Sequence, residues 1–193
     1  ILAPQPNMNN FLKKYFFRSQ NLDYIGFEFK KLSKDSDIKK IFDTINFYSE
    51  ISEIRYVGGC VRKIINQEYV DDIDLATNLK PEEVIDALKK ENINFFKSGI
   101  DHGTVTALID EKKFEITSLR KDIFTDGRHA KVEFSLNWKE DALRRDFTIN
   151  AIYADKNGNL FDPFNGKKDL INGEINFIGN AEKRIKEDYL RIL

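Results

Sequence analysis

Three aspartates and a pair of glycines lie within one short stretch, residues 56–77, which reads YVGGCVRKIINQEYVDDIDLAT. Asp72 and Asp74 are two residues apart in a predicted strand, where side chains at that spacing point to the same face. Two carboxylates on one face repel each other unless a cation lies between them, and oxygen ligands of this kind suit Mg²⁺. The pair therefore predicts a magnesium site, although an isolated Asp-x-Asp is more often an exposed polar strand edge.

A third carboxylate favours the metal site over the polar edge. Glu115 lies between Phe114 and Ile116 in the sequence KFEITSL, so an alternating strand would bury the two apolar neighbours and place Glu115 on the opposite face. A neighbouring strand could carry Asp72 and Asp74 on that same face. The three acids would then form a cradle for two metal ions.

The glycine pair suggests a place for phosphate. Gly58 and Gly59 follow the short predicted strand IRYV and precede CVRKIIN, so we expect them to end a strand and begin a helix, with backbone N–H groups open to an anion. Arg62 returns to the same side of the first helical turn and can bind phosphate through two N–H groups. A glycine pair alone is usually only a tight turn, but together with the arginine and the acids it predicts a site for a nucleoside triphosphate and its metals.

Hydrophobic periodicity predicts the elements that would position these residues. An amphipathic helix with a Ser/Asp-rich start is expected around residues 38–48, and a second helix is expected to begin at Pro81. The β-branched runs GTVTALID and KFEITSL flank EKK and predict a hairpin. NWKEDALRR and FTINAIYAD are predicted to be helical or mixed, KNGN to form a turn, and AEKRIKEDYLRIL to form a terminal amphipathic helix. Because short strands and helices alternate without a long βαβ rhythm, we expect an α+β fold with a small mixed β-sheet packed on helices.

Composition limits the function only broadly. The 193 residues carry a formal net charge of −1, which removes bulk charge as an argument for nucleic-acid binding. One cysteine and two histidines exclude an intrachain disulfide and a Cys/His zinc site, and they fit a reducing, cytoplasmic setting. No apolar run approaches the roughly 18 residues that a membrane span needs, so no membrane partner is expected.

Five motifs follow one another along about residues 50–193: GGCVRK…DDIDLAT, GIDHGTVTALIDEKKFEITSLRKD, DALRRDFTINAIYAD, LFDPFNGKKDL and RIKEDYLRIL. In this order they resemble the head of bacterial-type (class II) CCA-adding tRNA nucleotidyltransferases, within the polymerase-β nucleotidyltransferase superfamily. The resemblance implies a polymerase-β-like head fold that ends in the first helix of a truncated neck. It divides the chain into an amino-terminal extension of unclear role, the head domain and the start of the neck, over residues 1–32, 33–172 and 173–193.

The resemblance also implies roles for single residues. Asp72 and Asp74 would bind metal, and Glu115 would fill the third acidic position of the catalytic set. The triphosphate would be contacted by Gly58, Gly59 and Arg62.

Two further motifs carry the remaining implied contacts with the nucleotide. Arg145 in RRDFTINA would bind the nucleotide, and its neighbours Arg144, Asp146 and Asn150 would organise that motif. Asp188 and Arg191 in EDYLR would select the base of the incoming CTP or ATP. By spacing alone, however, Asp188 and Arg191 are more often an intrahelical ion pair. Residues 120–134 resemble the flexible loop of the family.

The implied activity is template-independent addition of CMP, AMP or both to the 3′ end of tRNA with two Mg²⁺ ions, so that CTP, ATP and the tRNA 3′ end are the expected partners. Two departures leave alternatives open. Lys63 stands where the family usually has aspartate or asparagine, and the helical body and tail that hold tRNA are missing. The alternatives are a poly(A) polymerase, a non-catalytic nucleotide-binding remnant, or half of a split enzyme that needs a helical carboxyl-terminal fragment on a second chain.

Overall fold

The computed structural model describes residues 21–126, 129–187 and 189–192. The strands in these ranges are β1 (Ile54–Val57), β2 (Asp74–Thr77), β3 (Asn94–Gly99), β4 (Thr104–Ile109), β5 (Lys112–Ser118), β6 (Arg120–Asp126), β7 (His129–Phe134), β8 (Tyr153–Ala154) and β9 (Leu160–Phe161). A seven-stranded sheet has the order β3-β4-β5-β2-β1-β8-β9, and β6 pairs with β7 in a separate two-stranded sheet. Strands β2 and β5 are parallel, whereas β2 and β1 are antiparallel. The expected α+β class with a small mixed sheet is confirmed.

The α-helices of the described ranges are α1 (Asn21–Leu32), α2 (Ser36–Asn46), α3 (Gly59–Ile65), α4 (Pro81–Lys90), α5 (Trp138–Arg144), α6 (Gly166–Asn172) and α7 (Ala181–Glu187). Short 3-10 helices span Ile100–His102, Thr148–Asn150 and Tyr189–Ile192. None of the helices described combines the length and the apolar composition that a membrane crossing requires.

The predicted helix α2 forms where its periodicity places it. Its apolar residues are buried in the main core: Ile38, Ile41, Phe42 and Ile45. The carboxylate of Asp35 caps the helix by accepting the backbone N–H of Asp37 at 2.9 Å, which satisfies a donor that has no partner within the helix. Helix α4 begins at Pro81 as predicted, and β4 and β5 form the predicted hairpin.

The two faces of the central strands have different roles. Tyr56 and Leu75 pack into the main core, whereas Val57 and Ala76 point to the opposite face and pack in a second cluster with Tyr153. This alternation follows from the two-residue period of a strand. The second face is the one on which the candidate site lies.

Helix α1 was not predicted from the sequence, where Gly26 and the exposed Phe27 obscure the apolar period. In the structure, Ile25 and Phe29 are buried in the main core. A Cβ added to Gly158 would lie only 2.7 Å from the Cα of Gly26, so the helix and the turn between β8 and β9 approach as closely as two glycines allow. Tertiary packing therefore decides that this segment is helical.

Three boundaries differ from the sequence predictions. Residues 120–134, predicted as a flexible loop, contain the paired strands β6 and β7. The predicted terminal helix is shorter than expected, because α7 ends at Glu187 before the 3-10 helix Tyr189–Ile192, whereas FTINAIYAD is mixed as expected, a 3-10 turn followed by β8. Strand β2 begins at Asp74, so the prediction that Asp72 lies in the strand is wrong. The reason is that β1 ends at Val57 and turns into α3, which leaves residues 71–73 without that strand as a partner.

Candidate nucleotide-binding site

The glycine turn borders the acidic residues. Gly58 has φ 69° and ψ −126°, a backbone conformation that side-chain-bearing residues rarely adopt. A Cβ added to Gly58 would lie 3.7 Å from Oδ2 of Asp74. A Cβ added to Gly59 would meet no atom within 4 Å. The turn between β1 and α3 therefore leaves open backbone next to a carboxylate.

Asp74 is the centre of the acidic cluster. In the parallel pairing of β2 with β5 it lies directly opposite Glu115. Burial raises the pKa of Asp74, and the nearby carboxylates of Asp72 and Glu115 raise it further, while Arg145 and Arg62 act in the opposite direction. The structure thus brings together five of the predicted site residues, with the glycine turn beside them. Asp72 reaches the cluster from the segment before β2 rather than from the strand.

The cysteine between these elements fits a packing role. The thiol of Cys60 is buried and donates to the backbone carbonyl oxygens of Val57 at 3.2 Å and Asp74 at 3.7 Å. Burial raises the pKa of this thiol to about 12, so it stays protonated at neutral pH. Cys60 therefore joins the start of α3 to the ends of β1 and β2 that carry the site.

Arg62 is held by the 3-10 turn Thr148–Asn150. Its Nη1 donates to Oδ1 of Asn150, and Nδ2 of Asn150 donates to Oδ1 of Asp146 at 2.9 Å. The same carboxylate oxygen accepts the backbone N–H of Phe147 at 2.7 Å. This chain of hydrogen bonds fixes the RRDFTIN segment against α3, in agreement with the organising role that the sequence suggested for Asp146 and Asn150.

Asp141 organises the arginines of the same segment. Its side chain is 1% exposed, and its Oδ1 accepts from Arg144 Nε at 2.8 Å and from the backbone N–H of Arg120 at 3.2 Å. Its Oδ2 accepts from Nε and Nη2 of Arg145, each at 3.2 Å, and from the hydroxyl of Tyr153 at 2.6 Å. A buried carboxylate with this many donors holds its partners in fixed positions.

Asp141 was not predicted from the sequence, although the spacing between Asp141 and the two arginines offered a signal. Asp141 precedes Arg144 and Arg145 by three and four residues in DALRR, so a helix places all three side chains on one face. Burial would raise the pKa of Asp141, but Arg144, Arg145 and the Tyr153 hydroxyl together hold it below the usual range. The carboxylate is therefore ionised at neutral pH.

Of the two residues predicted to select the base, the structure describes only Arg191. Asp188 lies outside the described residues. Arg191 donates from Nη1 to the backbone oxygen of Arg184 at 2.6 Å and to Oε2 of Glu187 at 3.1 Å. Arg184 also donates to Glu187 at 3.1 Å and to the backbone oxygen of Leu143 at 2.5 Å. Arg191 is thus attached, through Arg184, to the helix that precedes the RRD segment.

Lys63 does not point into the site. Its Nζ donates to Oδ1 of Asp71, whereas the preceding residue, Arg62, points to Asn150. Consecutive residues of a helix are separated by about 100°, which explains why the two cations diverge. The unusual lysine is therefore paired with a carboxylate beside Asp72.

The carboxylates fit a metal ion that substrate helps to bind. Across residues 21–126, 129–187 and 189–192, no three His, Cys, Asp or Glu side chains converge as a ready metal cage. Mg²⁺ does not need one, since it is commonly held by one or two carboxylates together with substrate phosphates and water. The half-buried Asp74, with two carboxylates near it, has the excess negative charge that a cation would offset.

The site combines acids on a parallel strand pair with a glycine turn and two arginines, and the chain's relatives identify this fold as a nucleotidyltransferase head domain. The chain belongs to the poly(A) polymerase head domain family, whose sequence model matches residues 54–176. The human mitochondrial CCA tRNA nucleotidyltransferase 1 is 47% identical over 76% of this chain and 34% of its own length. The CCA-adding enzyme of Oceanobacillus iheyensis is 44% identical over 72% of this chain and 34% of its own length.

Solved structures show the same similarity. The CCA-adding enzyme of Bacillus stearothermophilus in complex with CTP has a TM-score of 0.69 at 33% identity, over 79% of this chain and 35% of that one. A tRNA nucleotidyltransferase complexed with a primer tRNA and an incoming ATP analog has a TM-score of 0.57 at 25% identity, over 85% of this chain and 42% of that one. The chain spans about a third of the length of the curated relatives named above.

Proposed function

We propose that this chain is the head of a CCA-adding tRNA nucleotidyltransferase, which transfers CMP and AMP from CTP and ATP to the 3′ end of tRNA. The observation that carries the proposal is the position of Asp74, which lies opposite Glu115, beside the glycine turn, and within the electrostatic influence of Asp72, Arg62 and Arg145. The relatives' names and the CTP complex of a similar enzyme support the same choice of substrates.

The chain's own residues would bind and orient the triphosphate. The backbone of Gly58 and Gly59 leaves room for phosphate oxygens, and Arg62 and Arg145 supply positive charge on the same side. Asn150 and Asp141 hold these two arginines before the nucleotide arrives. Positioning and charge neutralisation are what phosphoryl-transfer sites chiefly provide.

The acids would hold the metal. Asp72 and Asp74 would bind Mg²⁺, with Glu115 as a third acid beside them, and when bound the two ions would lower the pKa of the primer 3′-hydroxyl and neutralise the triphosphate. The α-phosphate of the nucleotide would then lie next to the start of β2, where Asp74 and the glycine turn meet.

The division of the chain stays part of the proposal. Residues 33–172 would form the head, with the start of the neck in residues 173–193 and an extension in residues 1–32. The described part of that extension, α1, packs on the head. From the single cysteine and the two histidines we expect a cytoplasmic setting.

A primer-extension assay tests the activity. With a tRNA transcript that lacks its CCA end, CTP, ATP and Mg²⁺, we expect addition of two C residues and one A residue and then a stop. The assay is run with this chain alone and with a carboxyl-terminal fragment of the Oceanobacillus relative. A long A tract from ATP alone would instead indicate a poly(A) polymerase. Binding of CTP without incorporation in either setting would indicate a non-catalytic remnant.

Arg191→Ala tests base selection. If Arg191 reads the base edge, the preference for CTP over UTP should fall by roughly 10-fold or more, because a well-placed pair of hydrogen bonds contributes about 1–3 kcal/mol of discrimination. Incorporation of each nucleotide is measured separately. Lys186→Ala is the matched control, since Lys186 lies on α7, just before the 3-10 helix of Arg191, and pairs with Glu182 at 2.7 Å on the surface. An equal loss for all four nucleotides would mean that Arg191 is only a structural ion-pair partner of Glu187.

A further inference from the structure

Asp72 lies on a connecting segment, not on a strand. Residues 66–73 join the end of α3 to the start of β2 at Asp74. In this segment Val70 and Ile73 are half-buried against the main core, whereas Tyr69, Asp71 and Asp72 are exposed. Strand pairing therefore fixes Asp74 but leaves the position of Asp72 to other contacts.

Lys63 supplies such contacts from α3. Its ammonium group forms an ion pair with the carboxylate of Asp71, the residue directly before Asp72. Its backbone oxygen accepts the N–H of Glu68 at 2.8 Å. One residue of the helix thus holds the segment near its beginning and again next to Asp72.

The segment needs such a restraint because of charge. Asp72 acts on Asp74 as a like charge, so the two carboxylates repel each other when no cation lies between them. If the connecting segment were free to move, this repulsion would move Asp72 away from Asp74. The ion pair of Lys63 with Asp71 opposes that movement.

We propose that Lys63 is a positioning residue for Asp72: through Asp71 it holds the connecting segment so that Asp72 stays beside Asp74 when no metal is bound. Lys63 then acts through the segment and does not contact the triphosphate. This inference rests on the proposed function, because it assigns Asp72 to the metal that the nucleotide brings. The pair is half-exposed, with side-chain exposures of 32% for Lys63 and 63% for Asp71, so its effect should be moderate.

The sign of the effect of Lys63→Met separates positioning from simple charge. Removing a positive charge near the carboxylates would, by Coulomb attraction alone, tighten Mg²⁺ binding. Loss of positioning would weaken it. We expect the Mg²⁺ concentration that half-saturates CTP binding, measured by calorimetry, to rise by about two- to fivefold, as the strength of exposed ion pairs suggests. A lower or unchanged half-saturating Mg²⁺ concentration would overturn the proposal.

A double-mutant cycle isolates the ion pair. Asp71→Asn should raise the half-saturating Mg²⁺ concentration to a similar extent. The double variant should bind Mg²⁺ no more weakly than either single variant, because each single substitution already breaks the pair. The charge-swapped variant, with Lys63→Asp and Asp71→Lys, keeps the net charge and should restore most of the loss. Additive losses, or no recovery in the swapped variant, would contradict a role for the pair. Lys90→Met is the control, since it breaks a similar Lys–Asp pair at 2.8 Å on α4.

Amide hydrogen exchange provides a readout that does not depend on nucleotide. In the metal-free protein, exchange at residues 69–73 should be faster in both single variants than in the wild type and near wild type in the swapped variant, while exchange in α4 stays unchanged. Equal exchange in all variants would overturn the positioning role. If the wild-type chain binds no CTP with Mg²⁺, the proposed function fails, and hydrogen exchange alone then decides whether Lys63 holds the segment.

Discussion

Asp74→Asn is expected to reduce nucleotidyl transfer by on the order of a thousandfold, because a catalytic metal contributes several kcal/mol of charge stabilisation and each 1.36 kcal/mol corresponds to about tenfold in rate. The amide keeps the size of the side chain but removes the negative charge that would bind Mg²⁺. Single-turnover incorporation of CMP into a tRNA lacking CCA measures the loss. Glu115→Gln, on the neighbouring strand, should have a smaller effect, since its side chain is more exposed and lies farther from the glycine turn.

The same substitution should make the protein more stable. The pKa of Asp74 is raised in the folded state, so its ionised form is less favourable there than in the unfolded chain. Stability contributed by such a group is present below its unfolded pKa and is lost as pH rises through its folded pKa. At neutral pH the ionised Asp74 therefore destabilises the fold, and asparagine removes that effect. Urea unfolding of the metal-free protein should give a higher free energy of unfolding for the variant.

Opposite changes in activity and stability would mark Asp74 as a functional residue whose charge opposes folding. Asp86→Asn is the control, because Asp86 lies on α4 and pairs with Tyr48 and Lys90 away from the site. That variant should retain activity. Wild-type incorporation by Asp74→Asn would refute the assignment of Asp74 to the metal, and a clear loss of stability would refute the expected effect of its charge on folding.

Asp141→Ala is expected to lower the free energy of unfolding by about 3–5 kcal/mol, the usual range when one partner of a buried ion pair is removed. The substitution leaves Arg144 and Arg145 without their carboxylate, and it removes the acceptor of the Tyr153 hydroxyl and of the Arg120 backbone N–H. Urea unfolding monitored by circular dichroism measures the change. Glu140→Ala is the control on the same helix, since the side chain of Glu140 accepts one hydrogen bond among the contacts described, from the half-buried hydroxyl of Ser135. Equal losses would contradict a special role for Asp141.

The pH dependence gives a second test of Asp141. Its pKa is lowered in the folded state despite burial, because Arg144 and Arg145 favour the charged form. The stability it contributes is present above its unfolded pKa and is lost as pH falls through its lower folded pKa. Asp141→Asn should therefore flatten the acid limb of the stability curve in that window. In this milder variant, weaker CTP binding would show that the carboxylate also positions Arg145.

Local features of the candidate site could be predicted from the sequence. Gly58 occupies a backbone conformation that glycine favours, and the glycines were expected to end one element and begin another. The hairpin of β4 and β5, the cap and buried face of α2, and the start of α4 at Pro81 all depend on interactions between residues near one another in the chain. Such features follow from periodicity and capping, which a sequence displays directly.

What the sequence determined, then, is which residue types are present and which face of its own element each one takes. The tertiary structure decided which elements meet. Glu115 faces Asp74 only because β5 pairs in parallel with β2, a strand 35 or more residues away, and α1 is helical because the core accepts Ile25 and Phe29. The buried carboxylate of Asp141 accepts hydrogen bonds from the Tyr153 hydroxyl and the Arg120 backbone N–H only in the folded domain. Periodicity specifies a face but carries no information about its partner, because pairing between distant segments is decided by the packing of the whole domain.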